Sequence, residues 1–209
     1  MNKKDALELV KILKQTYPDA TCSLDFKKPF EMVVAVMLSA QCTDERVNLT
    51  TPTLFKRCPN IEDYVNIDIK ELEDIIHPCG FFKNKAKNIK LCAKQVLENF
   101  NGVVPNNMDD LLTLAGVGRK SANVILLEVY GIANGIAVDT HAKRISNLMG
   151  LSKESDPSKI EQDLVKIFPK ETLKDINHLF VWHGRNTCIA RKPKCDICTV
   201  NKFCKFYNN

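Results

Sequence analysis

Long apolar runs are missing from this chain. No stretch approaches the length needed to cross a bilayer, which excludes a helical membrane protein. A secretory leader is missing too: Met1-Asn2-Lys3-Lys4-Asp5 leads straight into an amphipathic stretch without an apolar signal core, so the expected compartment is the cytoplasm. There is no convincing strand alternation, no repeat of fixed period and no low-complexity linker, which argues against sandwiches, barrels, solenoids and disordered tethers. A large charge imbalance is also lacking, since the net charge is only +5. With 44% apolar and 26% charged residues in 209, the composition is that of a globular protein with one good core or two modest ones.

What charge excess exists is concentrated. Residues 183–209 hold six Lys/Arg (Arg185, Arg191, Lys192, Lys194, Lys202, Lys205) against the single acid Asp196. The rest of the chain balances at 24 basic and 24 acidic residues. The same segment carries Cys188, Cys195, Cys198 and Cys204, spaced C-x6-C-x2-C-x5-C over 17 residues. Four thiolates that close can enclose one soft metal centre, either zinc or an iron–sulfur cluster. A [4Fe–4S] centre on four thiolates contributes about −2, which leaves the segment basic. Arg191, Lys192 and Lys194 lie between the cysteines, so the metal would hold a cationic loop in shape for phosphates. The other five cysteines (Cys22, Cys42, Cys58, Cys79, Cys92) are scattered and read as reduced core thiols.

Helical periodicity dominates, and the expected fold class is all-α. Residues 4–16 put Ala6, Leu9, Val10 and Leu13 on one face and stop before Pro18. Residues 29–42 open with a proline and are apolar nearly all round, as in a central bundle helix. Helices are expected near 46–57, 61–64, 68–77, 83–100, 108–114, 119–130, 140–149, 157–167 and 171–183, punctuated by Pro52, Pro59, Pro78 and Gly80.

The most suggestive internal segment is Asp110-Leu-Leu-Thr-Leu-Ala-Gly-Val-Gly-Arg-Lys-Ser-Ala-Asn-Val-Ile-Leu. Gly116 and Gly118 allow a sharp turn between two helices and close approach to a ligand. The helix starting near Arg119 turns its first amides toward that turn, and such amides bind phosphate. This is a helix-hairpin-helix pattern, which grips a nucleic-acid backbone without reading bases. A plain inter-helix turn fits the glycines alone, but Arg119 and Lys120 oppose the helix dipole and so need another reason to be there. A helix N-terminus with Arg119 alongside favours a neutral Lys120 amine, able to attack a sugar carbon and form a Schiff base; a phosphate contact is the plainer role. Asp139, in Ile-Ala-Val-Asp-Thr-His, sits where a helix N-cap is wanted. Near a nucleophilic lysine its carboxylate would also stabilise a cationic sugar or move protons.

Four segments together, LSAQCTDERVN, LAGVGRKSANVIL, VDTHAKRISN and HGRNTCIARKPKCDIC, resemble the endonuclease III family of DNA base-excision repair enzymes. The resemblance implies two helical domains, residues 22–131 and residues 1–21 with 132–209, with DNA in the groove between them and a [4Fe–4S] cluster on the four cysteines. It implies a glycosylase that flips a damaged pyrimidine out of duplex DNA, and a lyase that nicks the abasic strand by β-elimination. Lys120 matches the family nucleophile and Asp139 its carboxylate. Gln41 and Phe81 match residues that fill the vacated helix space, and His141 a position near the active site. The turn Gly116-Val117-Gly118 and Lys192 match DNA-backbone contacts. The implied partner is double-stranded DNA with damaged pyrimidines or abasic sites, bound by a monomer that works at the nucleoid. Ala115 stands where the family usually has Pro, and Phe81 where it often has Leu. The chain ends soon after Cys204 without a further recognition domain, and together with Lys120 this disfavours an adenine-mismatch glycosylase. A non-catalytic DNA-binding module with structural zinc is the alternative of a different class.

Overall fold

A computed structural model describes residues 1–208, and among them every regular element is helical. The helices are α1 (Lys3–Thr16), α2 (Pro29–Ser39), α3 (Asp44–Arg57), α4 (Ile61–Asn66), α5 (Ile69–Ile76), α6 (Phe82–Phe100), α7 (Met108–Leu112) and α8 (Arg119–Tyr130), then α9 (Thr140–Met149), α10 (Pro157–Ile167), α11 (Leu173–Asn186) and α12 (Lys205–Asn208). None is long and apolar enough to cross a membrane. The chain divides into an internal unit, Cys22–Tyr130, and a terminal unit, Met1–Thr21 with Gly131–Asn209.

In the internal unit α2 is the axis. Pro29 starts it, and the buried Glu31 accepts hydrogen bonds from the amides of Lys27 (2.7 Å) and Lys28 (3.1 Å) just ahead of it. Every residue from Phe30 to Leu38 is buried, as an all-round apolar helix requires. It packs against α3, α6 and α8. The helix stops at Ser39 rather than Cys42, because Ala40 turns extended and Gln41 takes a left-handed φ of 55°. Pro52 lies inside α3, within the 46–57 span expected to be helical. A proline there costs about 3 kcal/mol, but Val47, Thr50, Thr51 and Leu54 bury one side of the helix and hold it. Cys58, Cys79 and Cys92 are buried, whereas Cys22 and Cys42 are only half-buried. Burial pushes the Cys92 thiol up to about 12.

In the terminal unit α1 lays Ala6, Leu9, Val10 and Leu13 into a core shared with α9, α10 and α11. Those are the four residues the 3.6-residue period puts on one face. Ion pairs from Lys14 to Asp175 (3.0 Å) and from Lys202 to Glu8 (2.6 Å) tie α1 to later segments. Cys188, Cys198 and Cys204 pack on the edge of this core.

Candidate functional site

The hairpin between α7 and α8 belongs to the internal unit, and its two glycines differ. Gly116 has φ +76°, and a Cβ on it would lie 2.6 Å from the Met37 methyl and 3.1 Å from Asn88. It is therefore glycine for the turn and for the packing of the turn on α2 and α6. Gly118 has an ordinary φ and open space before it, so only an outside group approaches it. Val117 between them is buried, and its amide donates to the Leu114 carbonyl (3.1 Å). It anchors the turn and presents no side chain. Gln95 of α6 braces the hairpin from below, accepting from the Ala115 amide (2.7 Å) and donating to the Thr113 carbonyl (3.1 Å). Arg119 and Lys120 are exposed on the first turn of α8, where amides have no partner within the helix.

Two further predicted residues lie on the same unit. Gln41 and Phe81 are exposed, and both have left-handed backbones, φ 55° and 48°. Phe81 is 66% exposed.

In the terminal unit Asp139 is the N-cap of α9, its carboxylate accepting from the Ala142 amide at 2.7 Å. His141, two residues on, is half-buried against Gly184 of α11. A Cβ on Gly184 would lie 2.6 Å from His141 Nδ1 and 2.8 Å from its Cβ, so glycine there makes room for the ring. Burial lowers the His141 pKa, with Asp139 opposing and Arg144 and Arg185 adding to the lowering. Arg144, which sequence reasoning did not single out, joins these parts. Its guanidinium donates to the carbonyls of Gly184 (3.0 Å) and Cys188 (2.7 Å) and lies 3.1 Å from His141 Nδ1. One cation therefore links the helix capped by Asp139 to the first cysteine of the loop. Its signal was present, inside VDTHAKRISN, but its reach to Cys188 is set by tertiary packing.

The four cysteines surround one pocket beside α9 and α11. A single tetrahedral zinc would draw four sulfurs to about 3.8 Å of one another on bonds of about 2.3 Å. Among the described residues, however, no three His, Cys, Asp or Glu side chains converge on one ion. Four soft thiols lining one pocket are the donor set that an iron–sulfur cluster takes. His183 stands beneath them, buried, with Nε2 3.8 Å from the Cys198 sulfur and Nδ1 3.1 Å from the Tyr17 hydroxyl. Tyr17 also lies 2.7 Å from Thr187 Oγ1. Burial first, and Arg144 second, pull the His183 pKa down to about 4. Tyr17 and His183 are supports the sequence did not reveal, since Tyr17 comes from the far end of the chain. Lys192, Arg191 and Lys194 are exposed on the loop, which is closed by the Lys194 amide donating to the Thr187 carbonyl (2.9 Å).

An all-α fold with a glycine-turned hairpin and a four-thiol loop defines a class, and the comparisons agree. Residues 34–170 match the model of the HhH-GPD superfamily of base excision DNA repair proteins. Residues 188–204, from the first of the four cysteines to the last, match the iron–sulfur binding domain of endonuclease III. The endonuclease III of Synechocystis sp. is 48% identical over 202 residues, covering 97% of this chain and 92% of that one. A solved structure of a non-covalent endonuclease III–DNA complex superposes with TM-score 0.93 at 36% identity, covering 100% of this chain and 97% of the other. A trapped endonuclease III–DNA covalent intermediate, also 36% identical, matches at 0.93 with 100% and 98% coverage. The chain belongs to the endonuclease III family. Its cofactor is a [4Fe–4S] cluster.

Proposed function

We propose that this enzyme removes oxidised pyrimidines from duplex DNA and then cleaves the abasic strand, with Lys120 as the nucleophile. As a member of its family it is a base-excision DNA glycosylase and abasic-site lyase. The observation that carries the residue assignment is the exposed Lys120 amine on the first turn of α8, just past a glycine that faces open space.

In its neutral form the amine attacks C1′ of the target sugar, the glycosidic bond breaks, and the base leaves with its electron pair and gains a proton. Loss of the amine proton and opening of the sugar ring give a Schiff base. Removal of a C2′ proton then expels the 3′ phosphate, a β-elimination, and hydrolysis frees the lysine. Asp139 supplies the carboxylate that stabilises the cationic sugar or accepts a proton. Gln41 and Phe81 fill the stack that the flipped nucleotide leaves, His141 lines the approach to the reacting sugar, and the Gly116–Gly118 turn and Lys192 hold the phosphates. Cys188, Cys195, Cys198 and Cys204 hold the cluster, which shapes the cationic loop. The enzyme works as a monomer, in the cytoplasm with the chromosome.

Borohydride trapping on a duplex with one thymine glycol tests the reading. The wild-type protein should form a covalent adduct, and Lys120→Gln should bind the same duplex without one. An adduct of undiminished yield from Lys120→Gln would remove the lysine from its role. Tight lesion binding with no adduct from either protein would replace the lyase with a monofunctional glycosylase.

A further inference from the structure

Gln41 and Phe81 share a feature that calls for a cause. Among the described residues, three non-glycine ones have left-handed backbones: Gln41, Phe81 and Asn101. Asn101 ends α6, a place where asparagine often takes that conformation. Glutamine and phenylalanine have no such excuse, and a left-handed backbone persists in them only where the surroundings impose it.

Beneath both stands Lys85, a buried lysine on the first turn of α6. Its ammonium donates to the Leu38 carbonyl at 2.8 Å and the Cys79 carbonyl at 2.9 Å. Leu38 is in the last turn of α2, whose carbonyls have no partner within the helix and form the negative end of its dipole. The neighbouring ends are closed locally, Ser39 Oγ donating to the Val36 carbonyl (2.9 Å) and the Cys42 amide to the Ser39 carbonyl (3.1 Å). Cys79 ends the short turn before Gly80 and Phe81. Each carbonyl thus lies just upstream of one left-handed residue, and a single cation holds both. Burial disfavours the charged form of this lysine, and the nearby Cys42 and Cys79 thiols oppose that effect. A cation kept in so dry a place needs the two carbonyls as much as they need it.

We propose that Lys85 is a positioning residue for nucleotide flipping, fixing the Gln41 and Phe81 loops at one spacing so that both enter the duplex together. It touches neither DNA nor the reacting sugar. This role rests on the insertion of Gln41 and Phe81 proposed above. Where the loops are loose, each insertion must first pay the ordering of the other, and a displacement of about 1 Å in such a constellation costs up to about 100-fold in rate.

The test uses a duplex with 2-aminopurine opposite thymine glycol, whose fluorescence rises when the opposite base is unstacked, and a single-stranded oligonucleotide with a preformed abasic site. Lys85→Met keeps the stem and removes the donors. It should lower the fluorescence rise and slow single-turnover excision from the duplex by about tenfold or more, while trapping on the single strand stays near wild type. Lys85→Gln, with one amide donor for two carbonyls, should fall between and guards against a Met variant that fails to fold. Gln41→Ala and Phe81→Ala run alongside. Unchanged fluorescence in those two would end the insertion reading itself. If they lose the signal and folded Lys85→Met or Lys85→Gln keeps it, Lys85 has no positioning role. Equal losses on duplex and single strand would make Lys85 a stability residue only and also overturn the proposal.

Discussion

At the scale of single residues, the two hairpin glycines make opposite predictions. Gly116→Ala forces an L-residue to φ +76° and drives its methyl into Met37 and Asn88. That should cost about 1–3 kcal/mol, read as a lower melting temperature. Gly118→Ala meets nothing within the protein, so its melting temperature should stay at or slightly above wild type, the unfolded chain having lost freedom. Its affinity for duplex DNA should nevertheless fall, because the methyl takes space a phosphate would use. Wild-type affinity in Gly118→Ala, measured by fluorescence anisotropy, would mean that DNA does not lie against this turn. The sequence showed both glycines and could not tell them apart. What separates them is a backbone angle and the approach of Met37 and Asn88, which come from other helices.

Among the elements, α9 carries a side chain with an observed structural role, to which the proposed function adds a chemical one. Asp139 caps the helix through the Ala142 amide, and that bond needs only an oxygen acceptor. Asp139→Asn keeps the acceptor and should melt close to wild type. Asp139→Ala loses it and should cost about 1 kcal/mol. Both remove the carboxylate, so both should slow single-turnover base removal to a similar degree while binding lesion DNA. A wild-type rate in Asp139→Asn would leave Asp139 as a cap alone. The far side of α9 carries a second prediction. Gly184→Ala would push a methyl into the His141 ring, so it should disturb excision while the α9 cap stays made; an unchanged excision rate would show that the His141 position is not needed. The helix, its cap and its apolar face were legible, since capping and periodicity are local. The grip of Arg144 on Gly184 and Cys188 was not, because it is decided by what packs alongside.

For the whole molecule the question is which of the clustered cations meet phosphate. The sequence located the excess of charge in residues 183–209 and set Arg191, Lys192 and Lys194 apart between the cysteines, but it could not show which cations are already paired within the protein. The structure distinguishes them. Lys202 is paired with Glu8 at 2.6 Å and lies over the Phe203 ring, 4.8 Å from its centre. Its charge is largely compensated within the terminal unit. Lys192 is exposed on the cysteine loop, whose backbone is closed by the Lys194 amide donating to the Thr187 carbonyl. A lysine that neutralises one phosphate releases condensed counterions, and the slope of log K against log salt changes by about 0.9 when that contact is lost. Lys192→Gln should therefore weaken duplex binding for all sequences alike and flatten the slope by about that amount. Lys202→Gln should leave the slope where it was, because no DNA counterion is displaced by a charge already matched. The measurement is a titration of undamaged duplex at several salt concentrations with the two variants side by side. A wild-type slope in Lys192→Gln would take the cysteine loop off the DNA. A slope flattened equally by both variants would show that the Glu8 pair opens on binding, and that the tail acts as a diffuse field rather than a shaped contact.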